Sequence, residues 1–196
     1  MGNTDDLKKI KDEVLELSGD LADLRRIEKY FPVIGEGSHE AKIMFIGEAP
    51  GEKEALTGRP FVGRSGKFLN ELLEGVGIKR VDVYITNIVK DRPPKNRDPR
   101  PDEIELYAPF LDRQIEIMRP KVIATLGRFS MQYIMNRYGL SASLGTISAL
   151  HGKVFETEIA GQKVMVVPLY HPAVALYNPG SKDELRVDFK VLKGLI

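Results

Sequence analysis

Cysteine is absent from this 196-residue chain, and so is tryptophan. Without cysteine there is no disulfide, no thiolate metal site and no thiol nucleophile, which suits a reducing compartment. No apolar run approaches the ~20 residues that span a bilayer, and the first residues are charged rather than signal-like, so a cytoplasmic protein with no membrane contact is expected. Charge of one sign is lacking too. With 29 basic and 28 acidic residues the net charge is +1, and any affinity for a polyanion has to come from a local patch. Hydrophobic content of 42% in this length is enough for one well-filled core and too little for two.

What the chain does contain is concentrated first in residues 42–63, KIMFIGEAPGEKEALTGRPFVG. The apolar run Ile43-Met44-Phe45-Ile46 is of the kind that forms a strand covered on both faces. Gly47 ends it, and Glu48-Ala49-Pro50-Gly51 turns the chain, since proline fixes φ and glycine permits positive φ. Glu48, Glu52 and Glu54 follow at once. Ligands of open α/β sheets bind outside the carboxyl ends of the strands, so a site is expected here.

Strand and helix patterns alternate along the rest of the chain. Thr4 begins an amphipathic helix with Leu7, Ile10, Val14 and Leu17 on one face and serves as its expected N-cap. A second short helix is expected over 21–30, a third over 64–76 and a fourth over 101–118, the last opened by Pro101 and acids. Strands are expected at 83–87 and 121–126, with a helix after Gly127. A hairpin over 154–159 and 164–167 turns at Gly161, and a last helix covers 183–192. This predicts a three-layer αβα sandwich on a central four-stranded parallel sheet, with residues 1–19 as an N-terminal helical extension and 20–196 as one domain.

Four strand ends then share one edge: Glu48, Asn87, Gly127 and His171. Alone, a histidine is more often a packed or surface side chain, and an asparagine at a strand end more often a turn former. Together they suggest chemistry on a base. The Asn87 amide offers an acceptor and donors in one plane, Phe61 a stacking face, His171 stabilisation of an anion, and Glu48 a way to orient water or stabilise a cation. Residues 90–100, KDRPPKNRDPR, form a proline-stiffened loop with five basic residues against two acidic, able to track phosphates. Its bland alternative is a solvated loop.

GEAPG at 47–51, GRPFVGRSGKFL at 58–69, TNIVKDRPPKNR at 86–97 and YHPA at 170–173 resemble, in order, the family 4 uracil-DNA glycosylases. The resemblance implies that Glu48 positions or activates the hydrolytic water, with Gly47 and Ala49 of the same turn beside the substrate. It implies that Glu54 crowds out a thymine methyl, Phe61 stacks on uracil, Asn87 pairs with O4 and N3–H, and His171 stabilises negative charge on O2. Lys90, Arg92, Lys95 and Arg97 are the expected DNA contacts. Leu176, in the 173–179 segment AVALYNP, is the expected minor-groove wedge, with Tyr177 as its alternative. The partner implied is uracil-containing DNA, single- or double-stranded, bound by a monomer.

The family also implies an iron–sulfur cluster on four cysteines that staples the N-terminal segment and the 90–100 loop to the domain. Here the corresponding positions fall near Asp20 and Asp23, at Asp91 and about Tyr107. Such hard oxygen donors cannot hold that cluster, so no cofactor is expected, and separated aspartates are more often solvated than metal-bound. His151-Gly152 stands where relatives commonly carry Arg-Gly. The basic loop lacks the histidine with which one related branch attacks the sugar, which favours a free-turnover hydrolase. Two other readings remain at this point: a non-catalytic nucleic-acid-binding module that kept the pocket, and a metal-dependent nucleotide hydrolase using the 47–51 and 127–130 turns.

Overall fold

The computed structural model describes residues 2–178 and 180–196. Its centre is a sheet of six strands, β1 (Glu36–Gly37), β2 (Ile43–Gly47), β3 (Tyr84–Asn87), β4 (Val122–Leu126), β5 (Phe155–Ile159) and β6 (Gln162–Leu169), in the order β1-β3-β2-β4-β6-β5. The inner four are parallel, whereas β1 and β5 add to the two edges antiparallel. The expected four-stranded sheet is therefore too small. β1 is two residues long, with no apolar alternation to announce it, and β5 is the outer arm of the hairpin.

Every residue of β2, β3 and β4 is buried, as strands covered on both faces must be. Alternate side chains enter two separate apolar clusters. Met44, Ile46 and Ile123 join Leu7, Ile10 and Val14 of α1 (Asn3–Glu16) and Tyr107, Leu111 and Ile115 of α5 (Pro101–Met118). Ile43, Phe45 and Ala124 join Phe68, Leu69 and Leu72 of α4 (Arg64–Gly75) and Leu185 and Phe189 of α9 (Gly180–Lys193). The Phe45 and Phe189 rings stack with centroids 5.8 Å apart. Burying a side chain of this size removes roughly 1.5–3 kcal/mol of apolar exposure, so helices are held on both faces of the sheet.

Thr4 does not cap α1. The helix starts one residue earlier, and the Thr4 hydroxyl instead meets His39 Nδ1 at 2.8 Å. The second helix, α2 (Asp20–Glu28), ends at Lys29 in the left-handed region. The six-residue α3 (Glu52–Thr57) had no sequence expectation. After β4 comes α6 (Arg128–Arg137), then the short α7 (Ile147–Leu150) and, beyond β6, α8 (Val174–Tyr177). No helix among the described residues is long and apolar enough to cross a membrane.

Candidate active site

The parallel register does the first part of the assembly. β2 and β3 pair Gly47 with Asn87, and β4 and β6 pair Leu126 with Leu169, so all four strands end on one edge. The chain crosses from one side of β2 to the other between β3 and β4, which makes the end of β2 the switch point where α/β ligand sites form. A cleft of about 470 Å³ lies there, lined by Glu48, Glu54, Phe61, Asn87, His171 and Tyr177 among others. That volume lies in the usual ~300–1,000 Å³ range for small-molecule sites.

Phe61 is held in a conformation it would not choose. Its φ is +50°, a left-handed backbone that costs a non-glycine residue roughly 1–2 kcal/mol. Neighbouring contacts over-determine it. Glu54 Oε1 accepts from the Val62 and Gly63 amides at 2.9 and 2.8 Å, and Arg80 Nη2 donates to the Pro60 carbonyl at 2.6 Å. A Cβ on Gly66 would stand 1.8 Å from the Phe61 carbonyl oxygen, so only glycine lets α4 start this close. The ring is thereby locked against the end of β2. There a Cβ on Gly47 would lie 2.9 Å from it and 2.3 Å from Asn87 Oδ1.

Asn87 is 2% exposed, and its Oδ1 is buried with no partner among the described residues. Leaving such an acceptor unpaired costs about 1–3 kcal/mol, and at the wall of a cleft it marks a place for a ligand N–H. Its backbone is anchored from below, where Lys90 Nζ donates to the Asn87 carbonyl at 2.7 Å.

His171 follows β6, its ring centroid 5.6 Å from that of Phe61. Its Nδ1 accepts from the Ala173 amide at 3.1 Å, which puts the ring proton on Nε2. Burial lowers its pKa to about 4, against a smaller opposing pull from the Glu54 carboxylate. The imidazole is thus neutral at physiological pH, with Nε2–H as a donor. Behind it, His151 Nδ1 meets Asp188 Oδ2 at 2.8 Å while its ring lies 4.3 Å from that of Tyr170.

Glu48 behaves in the opposite sense. Burial pushes its pKa up to about 7; the Asp98 carboxylate adds to the rise and the Arg128 guanidinium opposes it. A carboxylate poised near neutrality is suited to take a proton from water.

The loop after β3 departs from its expected role at one position. Lys90 is fully buried, its Nζ donating to Thr86 Oγ1, the Asn87 carbonyl and Gln114 Oε1 at 2.8, 2.7 and 2.6 Å, with burial bringing its pKa down to about 7. It cannot reach a phosphate, because the polar network under Asn87 draws it inward. Arg92 turns to the Tyr30 hydroxyl and Asn96 Oδ1, and Arg97 forks onto Glu103 at 2.8 and 2.5 Å. Lys95 is exposed at the tip. Leu176 is partly exposed on α8, but its neighbour Tyr177, 80% exposed, is the one that lines the cleft. Pro179, the end of the expected wedge, lies outside the described residues.

Sequence reasoning passed over Asp98 and Arg128, which form an ion pair at 3.1 Å and both act on Glu48. Arg128 directly follows the third strand end, which was the available signal. Asp98 was hidden in a loop read for its positive charge.

Residues 34–192 match the uracil DNA glycosylase superfamily. The chain belongs to that superfamily. It is 51% identical over 158 residues to the type-4 uracil-DNA glycosylase of Archaeoglobus fulgidus, covering 81% of this chain and 78% of the relative. With the type-4 enzyme of Sulfurisphaera tokodaii it shares 46% identity over 192 residues, 97% of this chain and 85% of that one. The type-4 enzyme of Saccharolobus solfataricus is 50% identical over 162 residues, covering 82% and 74%.

The iron–sulfur cluster implied by the resemblance to family 4 glycosylases does not suit the residues present. There is no cysteine in the chain, hence no thiolate for the cluster's iron. Asp91 is already engaged by Arg25 and Tyr107, while Asp20 and Asp23 are exposed and paired with Arg100 and Arg26. Among the described residues no three His, Asp or Glu side chains converge as a metal site.

Proposed function

We propose that this protein is a monofunctional uracil-DNA glycosylase that removes uracil from single- or double-stranded DNA as a monomer. The expected three-layer sandwich supplies the scaffold, with residues 1–19 added before a glycosylase domain over 20–196. The single observation that carries the reading is the unpaired Asn87 Oδ1 buried beside the locked Phe61 ring. An acceptor and an amide donor in one plane, next to an aromatic face, match the N3–H and O4 of uracil.

The reaction breaks the bond between sugar C1′ and uracil N1. The bonding pair leaves with the base, and the negative charge that spreads onto O2 meets the Nε2–H of neutral His171. The sugar becomes cation-like and is attacked by water, whose proton passes to the Glu48 carboxylate. The uracil anion takes up a proton from solvent and Glu48 gives up the one it gained, leaving free uracil and an abasic site. The nucleotide has to leave the helix first, and a U·G mismatch opens at lower cost than a matched pair. Tyr177, at the mouth of the cleft, fills the vacated stack with Leu176 beside it; Lys95, Arg92 and Arg97 lie toward the phosphates.

The test is single-turnover cleavage of a labelled oligonucleotide with one U·G mismatch, in EDTA, followed by alkali to reveal abasic sites. Wild-type cleavage that Glu48→Gln abolishes is the expected result. Binding without cleavage points instead to the inactive module, and loss of activity with the chelator points to a metal-dependent hydrolase.

The pH profile gives an independent check on Glu48. Its acid form dominates below its pKa of about 7 and its carboxylate above. The cleavage rate therefore rises tenfold per pH unit below about 7 and levels off above it. A flat profile between pH 5.5 and 8.5 removes Glu48 as the base. Asp98→Asn takes away a neighbouring negative charge, so it moves the inflection to lower pH.

A further inference from the structure

One buried charged cluster has no part in the chemistry above. Arg25, on α2, is 5% exposed, Asp91 1% and Tyr107, on α5, 0%. Arg25 Nη1 donates to both Asp91 oxygens, at 3.1 and 2.9 Å, and its Nη2 donates to the carbonyls of Val14 and Leu15 at 3.0 and 2.9 Å. The Tyr107 hydroxyl donates to Asp91 Oδ2 at 2.5 Å. Four segments meet here: the end of α1, α2 just after it, and, far off in sequence, the loop after β3 and α5.

A buried ion pair is weak evidence of stability, because desolvating two charges offsets most of their attraction. It does supply direction. A planar guanidinium with one nitrogen on the carboxylate and the other on two backbone carbonyls fixes orientation as well as distance, which apolar packing does not. The part it orients is informative. Asp91 begins the segment whose Pro93, Asn96, Arg97 and Asp98 form one wall of the cleft, and Asp98 acts on Glu48. Further along, this wall is tied by the more exposed Arg97–Glu103 and Asp98–Arg128 pairs. An interior anchor is at Asp91, beside the buried Lys90.

We propose that Arg25, Asp91 and Tyr107 are positioning residues that fix the 91–98 wall of the cleft. The proposal rests on the glycosylase reading for its activity readout and on the network's geometry for its structural one. On this view the basic loop takes its shape from three side chains that neither touch substrate nor bind metal.

The experiment compares wild type with the apolar triple variant Arg25→Met/Asp91→Leu/Tyr107→Phe and with the single variant Tyr107→Phe. Three quantities are measured: thermal unfolding, amide hydrogen exchange in 91–98, and single-turnover cleavage of the U·G oligonucleotide at saturating and subsaturating enzyme. Replacing a buried ionic triad by apolar groups is often neutral or stabilising, so the triple variant is expected to unfold near the wild-type temperature. Its 91–98 amides nonetheless exchange faster, and the saturated cleavage rate falls roughly 10–100-fold, the scale of an ångström misplacement in a site. Tyr107→Phe shifts both readouts in the same direction by a smaller factor. A folded triple variant with wild-type exchange and rate overturns the proposal. Should the triple variant fail to fold, unchanged exchange and rate in Tyr107→Phe overturn it instead. If wild type itself cleaves no uracil, the glycosylase reading has failed, and exchange in 91–98 still decides the network.

Discussion

Replacement of His171 by alanine is expected to lower single-turnover cleavage by roughly 10²–10⁴, the range for loss of an oxyanion donor or acid–base group. The expectation rests on the protonation state as much as on position. Nδ1 is occupied as an acceptor of the Ala173 amide, so the donor facing outward is Nε2–H. With a pKa lowered to about 4 by burial, the ring stays neutral over the working pH range. A neutral donor strengthens its bond as charge grows on uracil O2, and therefore favours the transition state over the bound substrate. Uracil-DNA affinity should change far less than rate, which is measured by binding with an uncleavable analogue. His171→Gln, which can offer an N–H from a similar distance, should recover part of the loss. Alanine also removes a ring that packs near Phe61 and against Gly127, where a Cβ would stand 3.2 Å from His171 Cβ. The glutamine variant separates that packing loss from loss of the donor. A His171→Ala rate within threefold of wild type takes the residue out of the mechanism.

How much of this was legible beforehand follows from the range of the forces involved. β2 and β4 are apolar runs that end at Gly47 and before Gly127, and α5 was read over 101–118, where it forms. Local pattern suffices for such elements. Glu48, Asn87 and His171 could be placed on one edge because parallel strands share their carboxyl ends. Lys90 could not be read correctly. Its neighbours in sequence are basic and proline-rich, but its partners include Gln114, 24 residues away, and that contact exists only once α5 is docked. The same holds for Asp91, whose partner Arg25 lies 66 residues away. The edge strand β1 is two residues long and pairs with β3 across nearly fifty residues, so no local periodicity announces it. Strain at Phe61 was equally hidden, since a positive φ outside glycine is imposed by surroundings and not by the residue.

Asn87→Asp should weaken the preference for uracil and admit cytosine. Uracil presents an N3–H donor and an O4 acceptor; cytosine presents an N3 acceptor and an amino donor in the same places. The wild-type amide can accept from N3–H through the unpaired Oδ1 and donate to O4, and it has little freedom to turn over. Gly47 is its register partner, the Phe61 ring packs against that same glycine, and its own carbonyl is held by Lys90. An aspartate here sits in a buried position, which favours its protonated form. A carboxylic acid, whose proton can sit on either oxygen, offers one donor and one acceptor in the pattern cytosine needs or in the one uracil needs, whereas the carboxylate is acceptor-only and repels O4 of uracil. Where the carboxylate is populated, uracil cleavage is expected to fall by roughly 10²–10³, since mispaired buried polar groups underlie discrimination of about 10⁴–10⁵ in sites of this kind. Cytosine cleavage should become measurable, and the variant's uracil rate, taken relative to wild type at each pH so that the Glu48 dependence divides out, should recover as pH falls, because the competent acid form is populated below the aspartate's pKa. The measurement is the ratio of single-turnover rates on matched U·G and C·G oligonucleotides between pH 5.5 and 8.5. An unchanged ratio would show that recognition of the base edge lies elsewhere in the cleft. A collapsed ratio whose uracil deficit does not change with pH would place recognition at Asn87 but take the aspartate's ionisation out of the explanation.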